Sequence, residues 1–375
     1  METHSHSGRF LLLAPALLSL IAAMWAGLLR LDLNIPYLQP ALSLSHGPLM
    51  VCGFLGTLIS LERSVALDRW WAYAAPSFTA LGTLGLIAGR PPGVFNPLLI
   101  VLGSLALAGN FAVIVRRQAA LFTATMASGA IAWLAGNVLW LSGVPISSMV
   151  HWWVGFLVLT ITGERLELSR LLSHSRGATR LFLLSAGIFL AGLIWASLDH
   201  FKGLEIAGLG LLLLSLWLAR YDVARRTVHQ RGLPRFIAIS LLSGYCWLAV
   251  GGVYWVQARR LHASPDWESF HYDAMLHSIF LGFVFSMIFA HAPIIFPAIT
   301  GRALAYRKGF YAHVILLHAV LLSRIGSDIA GHFALNRWSG VLTVIVLFVF
   351  LLNTAYSLLS GLPKIEHPAT HTPPR

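Results

Sequence analysis

Hydrophobic runs, each closed by a short polar or basic connection, recur along the chain at 10–29, 46–62, 72–89, 94–115, 119–141, 147–164, 180–198, 203–219, 235–256, 274–298, 310–328 and 338–360. Each is close to the roughly 20 residues that a helix needs to cross about 30 Å of hydrocarbon. In lipid the backbone polar groups must be satisfied within their own segment, so every run predicts a helix. The pattern predicts an all-α, polytopic membrane protein of about twelve transmembrane helices. No connection is long enough to fold alone, so 1–362 is expected to be a single integral membrane domain. The proline-rich segment 363–375 is expected to be a disordered cytoplasmic tail. The first run is expected to stay as a helix and not to be removed as a signal peptide. Its flank METHSHSGR has one basic side chain and no convincing cleavage site follows.

Composition agrees: 57% of the 375 residues are hydrophobic and 11% charged, with mean hydropathy +0.75, far from the balance of a soluble domain. A net charge of +12 in a soluble chain would suggest nucleic acid, but its placement points to the lipid bilayer as partner, with no nucleic acid. With the first residues cytoplasmic, most Arg and Lys fall on cytoplasmic connections, among them Arg63, Arg69, Arg116, Arg117, Arg165, Arg225, Arg226 and Arg307. The other side holds Arg30, Arg90, Lys202, Arg259, Arg260 and Arg337, with Arg324 near a helix end. This is the positive-inside pattern of an even number of spans with both termini cytoplasmic. Cys52 and Cys246 both lie in spans and form no CxxC. The chain has no GxxxxGK[ST] and no GxGxxG, which argues against ATP-driven transport by this chain alone.

Three of the runs echo one another. Residues 53–63 read GFLGTLISLER, 155–165 GFLVLTITGER and 282–292 GFVFSMIFAHA. Aligned on Gly53, Gly155 and Gly282, they share the next Phe, an Ile six places on (Ile59, Ile161, Ile288) and an ionisable group nine places on (Glu62, Glu164, His291). A histidine precedes each: His46, His151 and His277. These are helices 2, 6 and 10 of the predicted twelve, a period of four that divides the chain into pseudo-repeats of about 1–118, 119–231 and 232–362. Two six-helix halves, the plan of many secondary transporters, would give a different period.

Ionisable groups inside spans are costly and face the bundle interior, paired with something. His46, His151 and His277 are predicted at one depth toward the outer leaflet, and neutral imidazole is a ligand for haem iron and for copper. They are the candidate metal ligands, with His200 placed to join them. His277 drifts about 140° from the face of Gly282 at 100° per residue, and His271, with the better angle, sits farther out, so the third ligand stays open. An interfacial, hydrogen-bonded histidine is the plainer reading of each. Glu62 with Arg63, and Glu164 with Arg165, are expected to be cytoplasmic anchors with the Arg snorkelling to headgroups; together with His291 they are also the candidate proton path. Asn110, Asn137, Tyr245 and Asn353 are expected to hydrogen-bond between helices, and Pro293 and Pro297 to kink or end helix 10.

Twelve spans in three arcs, with histidines toward the outer ends of helices 2, 6 and 10, resemble the haem-copper oxidase catalytic subunit. The pieces HGPLMVCGF (46–54) and HSIFLGFVFSMIFAHAPIIFPAITGRAL (277–304) look more like a distant relative, the NnrS family of membrane proteins linked to nitric oxide and denitrification. That resemblance implies haem of unspecified type, with copper as a second cofactor, and nitric oxide or another small gas as ligand or substrate. His46 and His277 would then be the axial haem ligands, and His151 would bind a second metal or the other haem face. The sequence departs from these families: helix 2 has His46 alone where NnrS proteins have a double histidine. His277 and His291 are about 21 Å apart along the helix at 14 residues, not a close pair, and helix 7 lacks paired histidines, so oxygen reduction is not implied. Whether the chain is an enzyme or a sensor, and what donates electrons, stays open. Two other classes are a histidine-lined transporter or channel for a small solute or metal ion, and a cofactor-free assembly scaffold with an oxidase-like fold.

Overall fold

The apolar runs fold as helices, and no strand forms among the described residues. The computed structural model describes residues 3–31, 33, 35–39, 41–89, 93–172, 175–264, 270–300 and 304–360. The expected tail at 363–375 lies outside them. The long helices are Thr3–Arg30 (α1), Leu42–Leu67 (α2), Ala74–Ile87 (α3), Phe95–Arg117 (α4), Leu121–Leu141 (α5), Ile146–Leu168 (α6), Arg176–Trp195 (α7), His200–Tyr221 (α8), Leu233–Val256 (α9), 272–300 (α10), Phe310–Ala330 (α11) and Phe333–Leu359 (α12). Polar caps and breakers set their ends. Ser175 Oγ accepts the Ala178 N–H at the start of α7, Asp199 Oδ1 accepts the Lys202 N–H at the start of α8, and left-handed Gly331 closes α11.

All of these except α3 are long and apolar enough to cross a membrane, eleven among the described residues. The segment expected to span at 72–89 gives a helix of 14 residues after a 3₁₀ turn at Trp70–Tyr73, about 21 Å of helix. Tyr73, Ser77, Thr79 and Thr83 dilute its apolar run. Helix α10 does not end at Pro293 or Pro297; it runs through both to Thr300, as buried spans allow when neighbours take up the freed carbonyls.

The spans differ sharply in how much neighbouring helices cover them. Inside the bundle, α2, α6 and α10 are 61%, 78% and 67% buried, against 33–56% for the other eight. These three carry the Gly-Phe segments. Their glycines do one job: each lets a neighbouring helix come close. A Cβ on Gly53 would stand 2.7 Å from Ser19 of α1, one on Gly155 2.5 Å from Leu193 of α7, and one on Gly282 2.5 Å from Trp247 of α9. Small residues at such crossings are how helices gain packing in lipid, where no hydrophobic force drives them together.

Helices α2 and α10 share a second feature. Leu49–Gly56 and Ser278–Phe285 are π-helical, eight residues each, with α-helix on either side. The two stretches meet: Phe54 stacks on Phe285 with ring centroids 6.2 Å apart. The π-helix is rare and concentrates at functional sites because it re-aims the residues around it. His46 stands three residues before the first stretch and His277 immediately before the second.

Candidate functional site

Beyond those two stretches the bundle holds a histidine pair. His46 Nδ1 is 2.8 Å from the Ala23 carbonyl of α1, and its ring rests on Gly27, where a Cβ would lie 3.1 Å away. His277 Nδ1 is 3.0 Å from the carbonyl of Asp273, one turn earlier. A carbonyl only accepts, so in both rings Nδ1 carries the proton and donates, and Nε2 keeps the lone pair. The groups of other helices that face His46 include His277, Arg30 and Arg324. His277 of α10 is thus close enough to His46 for their charges to interact.

The Asp273 carboxylate anchors this end. Its Oδ1 lies 3.0 Å from His277 Nδ1, while Arg324 of α11 grips it with two bonds, Nε to Oδ2 at 2.6 Å and Nη2 to Oδ1 at 2.8 Å. A bidentate guanidinium fixes both oxygens in one plane, so the carboxylate also fixes the imidazole it touches. One turn on, Asp328 accepts from Asn336 of α12, and its other oxygen is buried without a partner.

His151 is not drawn into this pair. Its ring meets His200 of α8, with centroids 5.6 Å apart. His151 is 1% exposed, with the backbone of Ser148, three residues earlier, as a hydrogen-bond partner. The three repeat histidines therefore stand as two separate features, and among the described residues no three His, Cys, Asp or Glu side chains are gathered to hold one metal ion. His313 and His318 stay apart from both: Trp247 donates to His318 Nδ1 at 3.0 Å, and His313 is ringed by Phe236, Phe289, Phe310 and Phe350.

At the far ends of the same spans the ionisable residues meet. Arg63 bonds Glu62 at 3.1 Å and also Glu164 of α6. Arg165, next on α6, does not snorkel as expected. Its side chain is 3% exposed and pairs with Asp222, just past α8, through Nε at 2.7 Å and Nη2 at 2.8 Å. Tyr245 of α9 donates to the same carboxylate at 3.0 Å. An unpaired guanidinium in lipid is too costly to leave buried, and the carboxylate, which also accepts from Tyr245 and from the Ala224 N–H, gives it a partner. His291 faces Glu62, Arg165 and Asp222; its Nδ1 donates to the Met287 carbonyl at 2.7 Å and its Nε2 is buried without a partner. Arg63 thus joins Glu62 to Glu164, with His291 within electrostatic reach of Glu62. Sequence reasoning missed Asp222 as the partner of Arg165, although a lone acid between Glu205 and Asp266, among Arg220, Arg225 and Arg226, was a signal.

Between the two ends Cys52, Asn137, Trp133 and Trp153 tie α2, α5 and α6 together. Trp133 donates to the Cys52 sulfur at 3.4 Å and Trp153 to Asn137 at 2.9 Å. A small cleft with apolar walls opens between α1, α2, α10 and α12, lined by Leu13, Phe54, Leu58, Ile288 and Phe296 among others.

A haem needs axial imidazoles with a fixed tautomer and an apolar wall for its macrocycle. The donor set of His46 and His277 meets the first need, since each ring is pinned through Nδ1 and keeps Nε2 as its ligating nitrogen. The cleft does not meet the second: Leu58 and Ile288 in its walls stand about 16–18 Å along their helices from His46 and His277 at 1.5 Å per residue. Residues 9–359 match the profile of a family described as a domain of unknown function, DUF8744. No curated protein matches the chain.

Proposed function

We propose that this chain, which belongs to the DUF8744 family, is a haem-binding protein of a bacterial inner membrane, in which His46 and His277 would hold the haem. One observation carries the reading: two imidazoles on neighbouring buried spans, each held through Nδ1 on a carbonyl and each leading into a π-helical stretch. The bound group would supply a one-electron iron couple. The chain's own residues hold it. Ala23 and Asp273 set the tautomers, Arg324 fixes Asp273, and the packed glycines exclude water from the spans between. Glu62, Glu164 and His291, now with Arg63, Arg165 and Asp222, form the polar cluster through which a proton would enter from the cytoplasmic side.

The finer topology belongs to the same reading. Helix α3 crosses as a short twelfth span, the chain is built of three four-helix repeats around α2, α6 and α10, and both termini are cytoplasmic. The likeness to NnrS proteins extends the role to nitric oxide or nitrogen-oxide metabolism and defence. Nitric oxide or another small gas would be its ligand or substrate. A histidine-lined transporter is the second reading, favoured by ionic clusters at both ends of the same buried spans.

The test is the visible spectrum of detergent-purified protein, oxidised and dithionite-reduced, with metal analysis of the same sample. The expected result is a stoichiometric Soret band that His46→Ala abolishes without loss of membrane insertion. A colourless sample from haem-replete cells, or a full band in His46→Ala, overturns the assignment; flux into vesicles by a colourless protein would establish the transporter.

A further inference from the structure

We infer that Asp328 is a proton-binding site: its carboxyl is neutral while Arg324 grips Asp273, and once it releases the proton it competes with Asp273 for the same guanidinium. Asp273 of α10 and Asp328 and Arg324 of α11 lie within reach of one another's charges. Two carboxyl groups thus share one guanidinium, and Asp273 takes its bonds from both Nε and Nη2. Asp328 is 2% exposed. Its Oδ1 accepts from the uncharged Asn336 amide, and its Oδ2 has no partner. A buried carboxylate without a counter-charge costs far more than a neutral carboxyl with one unpaired O–H, so the proton sits on Oδ2.

The neighbours leave it in that state. Tyr254 faces it from α9, Asp273 from α10 with His277 beside it, and Asn336 from α12, where half-buried Arg337 follows. Among the described residues no cation is in ion-pair contact with Asp328. Arg324 and Asp328 stand at i and i+4 of one helix, the spacing at which opposite charges pair. The guanidinium nevertheless reaches across to α10. An ionised Asp328 would offer it a second anion on its own helix. Release of the proton, to the water beyond exposed Gly331 and His332, therefore draws Arg324 off Asp273 and frees the carboxylate that touches His277. The site does not depend on haem.

Infrared difference spectroscopy of the full chain in detergent tests this, because the C=O stretch of a neutral carboxyl lies clear of the carboxylate bands. At neutral pH the parent should show a neutral-carboxyl band that Asp328→Asn removes, and raising the pH should remove the same band from the parent. In Asp273→Asn the guanidinium is free for Asp328, so that band should be lost at neutral pH although Asp328 is present. A spectrum unchanged by Asp328→Asn overturns the site, and a band retained in Asp273→Asn overturns the competition for Arg324. If either variant fails to fold, the parent decides, grown with aspartate isotopically labelled at its side-chain carboxyl carbon. Asp222 and Asp273 are each held by an arginine, and Asp68 and Asp199 are exposed, so among the described aspartates Asp328 is the source of a neutral-carboxyl band that shifts with the label. Its loss on raising the pH should come in one step with a shift of the guanidinium bands. No labelled neutral-carboxyl band, or its loss with the guanidinium bands unmoved, overturns the inference.

Discussion

A glycine and a carboxylate show at the residue scale what holds this bundle. Gly53 has Ser19 where a Cβ would need 2.7 Å, so Gly53→Ala must push α1 off α2. We expect a loss of about 1–3 kcal/mol, typical of overpacking. Gly187 of α7 has nothing within 4 Å, so Gly187→Ala should be neutral or gain up to about 1 kcal/mol from helix propensity. Unfolding of the two variants side by side in detergent measures the difference. Asp222 is the larger case. Asp222→Asn leaves Arg165 buried without its counter-charge and should cost about 3–5 kcal/mol, read as a lower unfolding midpoint and a lower yield of folded protein. A midpoint equal to the parent's would mean that water or another carboxylate takes over.

At the scale of the element, the π-helical stretches set the aim of the histidines. A π-helix spends more residues per turn than an α-helix, so Leu49–Gly56 rotates the start of α2 relative to its end. Removing one residue from that stretch, for example Met50, returns the helix toward α register and swings His46 by about 100° against Leu61. The expected outcome is an inserted protein that has lost its Soret band. A retained band would show that the stretch does not position the ligand. Helix α6 has no π-helical stretch like these two, and its histidine meets α8 instead of the His46–His277 pair.

On the scale of the whole molecule, three well-covered spans sit among eight less covered ones, and the sidedness of the chain depends on the shortest helix. If α3 crosses, fluorescent-protein fusions at both ends should fold and fluoresce on the cytoplasmic side, and labels at Lys202 and Arg260 should react from outside. Eleven crossings would place the two ends on opposite sides. Helix α3 is therefore the element on which the even count depends, and fusions after Asp68 and after Val94 locate it directly.

Hydrophobic periodicity alone determined that this chain is helical and membrane-embedded, because lipid leaves the backbone no other way to satisfy itself. The Gly-Phe pattern also marked the three spans that prove most buried, since a span enclosed by helices needs small residues on its contact faces. The same pattern put Glu62, Glu164 and His291 in correspondence; Arg63 bridges the two glutamates, and His291 lies within electrostatic reach of Glu62. Partner choice was not legible. That Arg165 pairs with Asp222, 57 residues away, that His277 comes to His46 while His151 goes to His200, and that two helices turn π-helical just past their histidines depend on how helices rotate and cross. A one-dimensional pattern fixes the face that a helix buries; only packing in three dimensions decides which neighbour it is buried against.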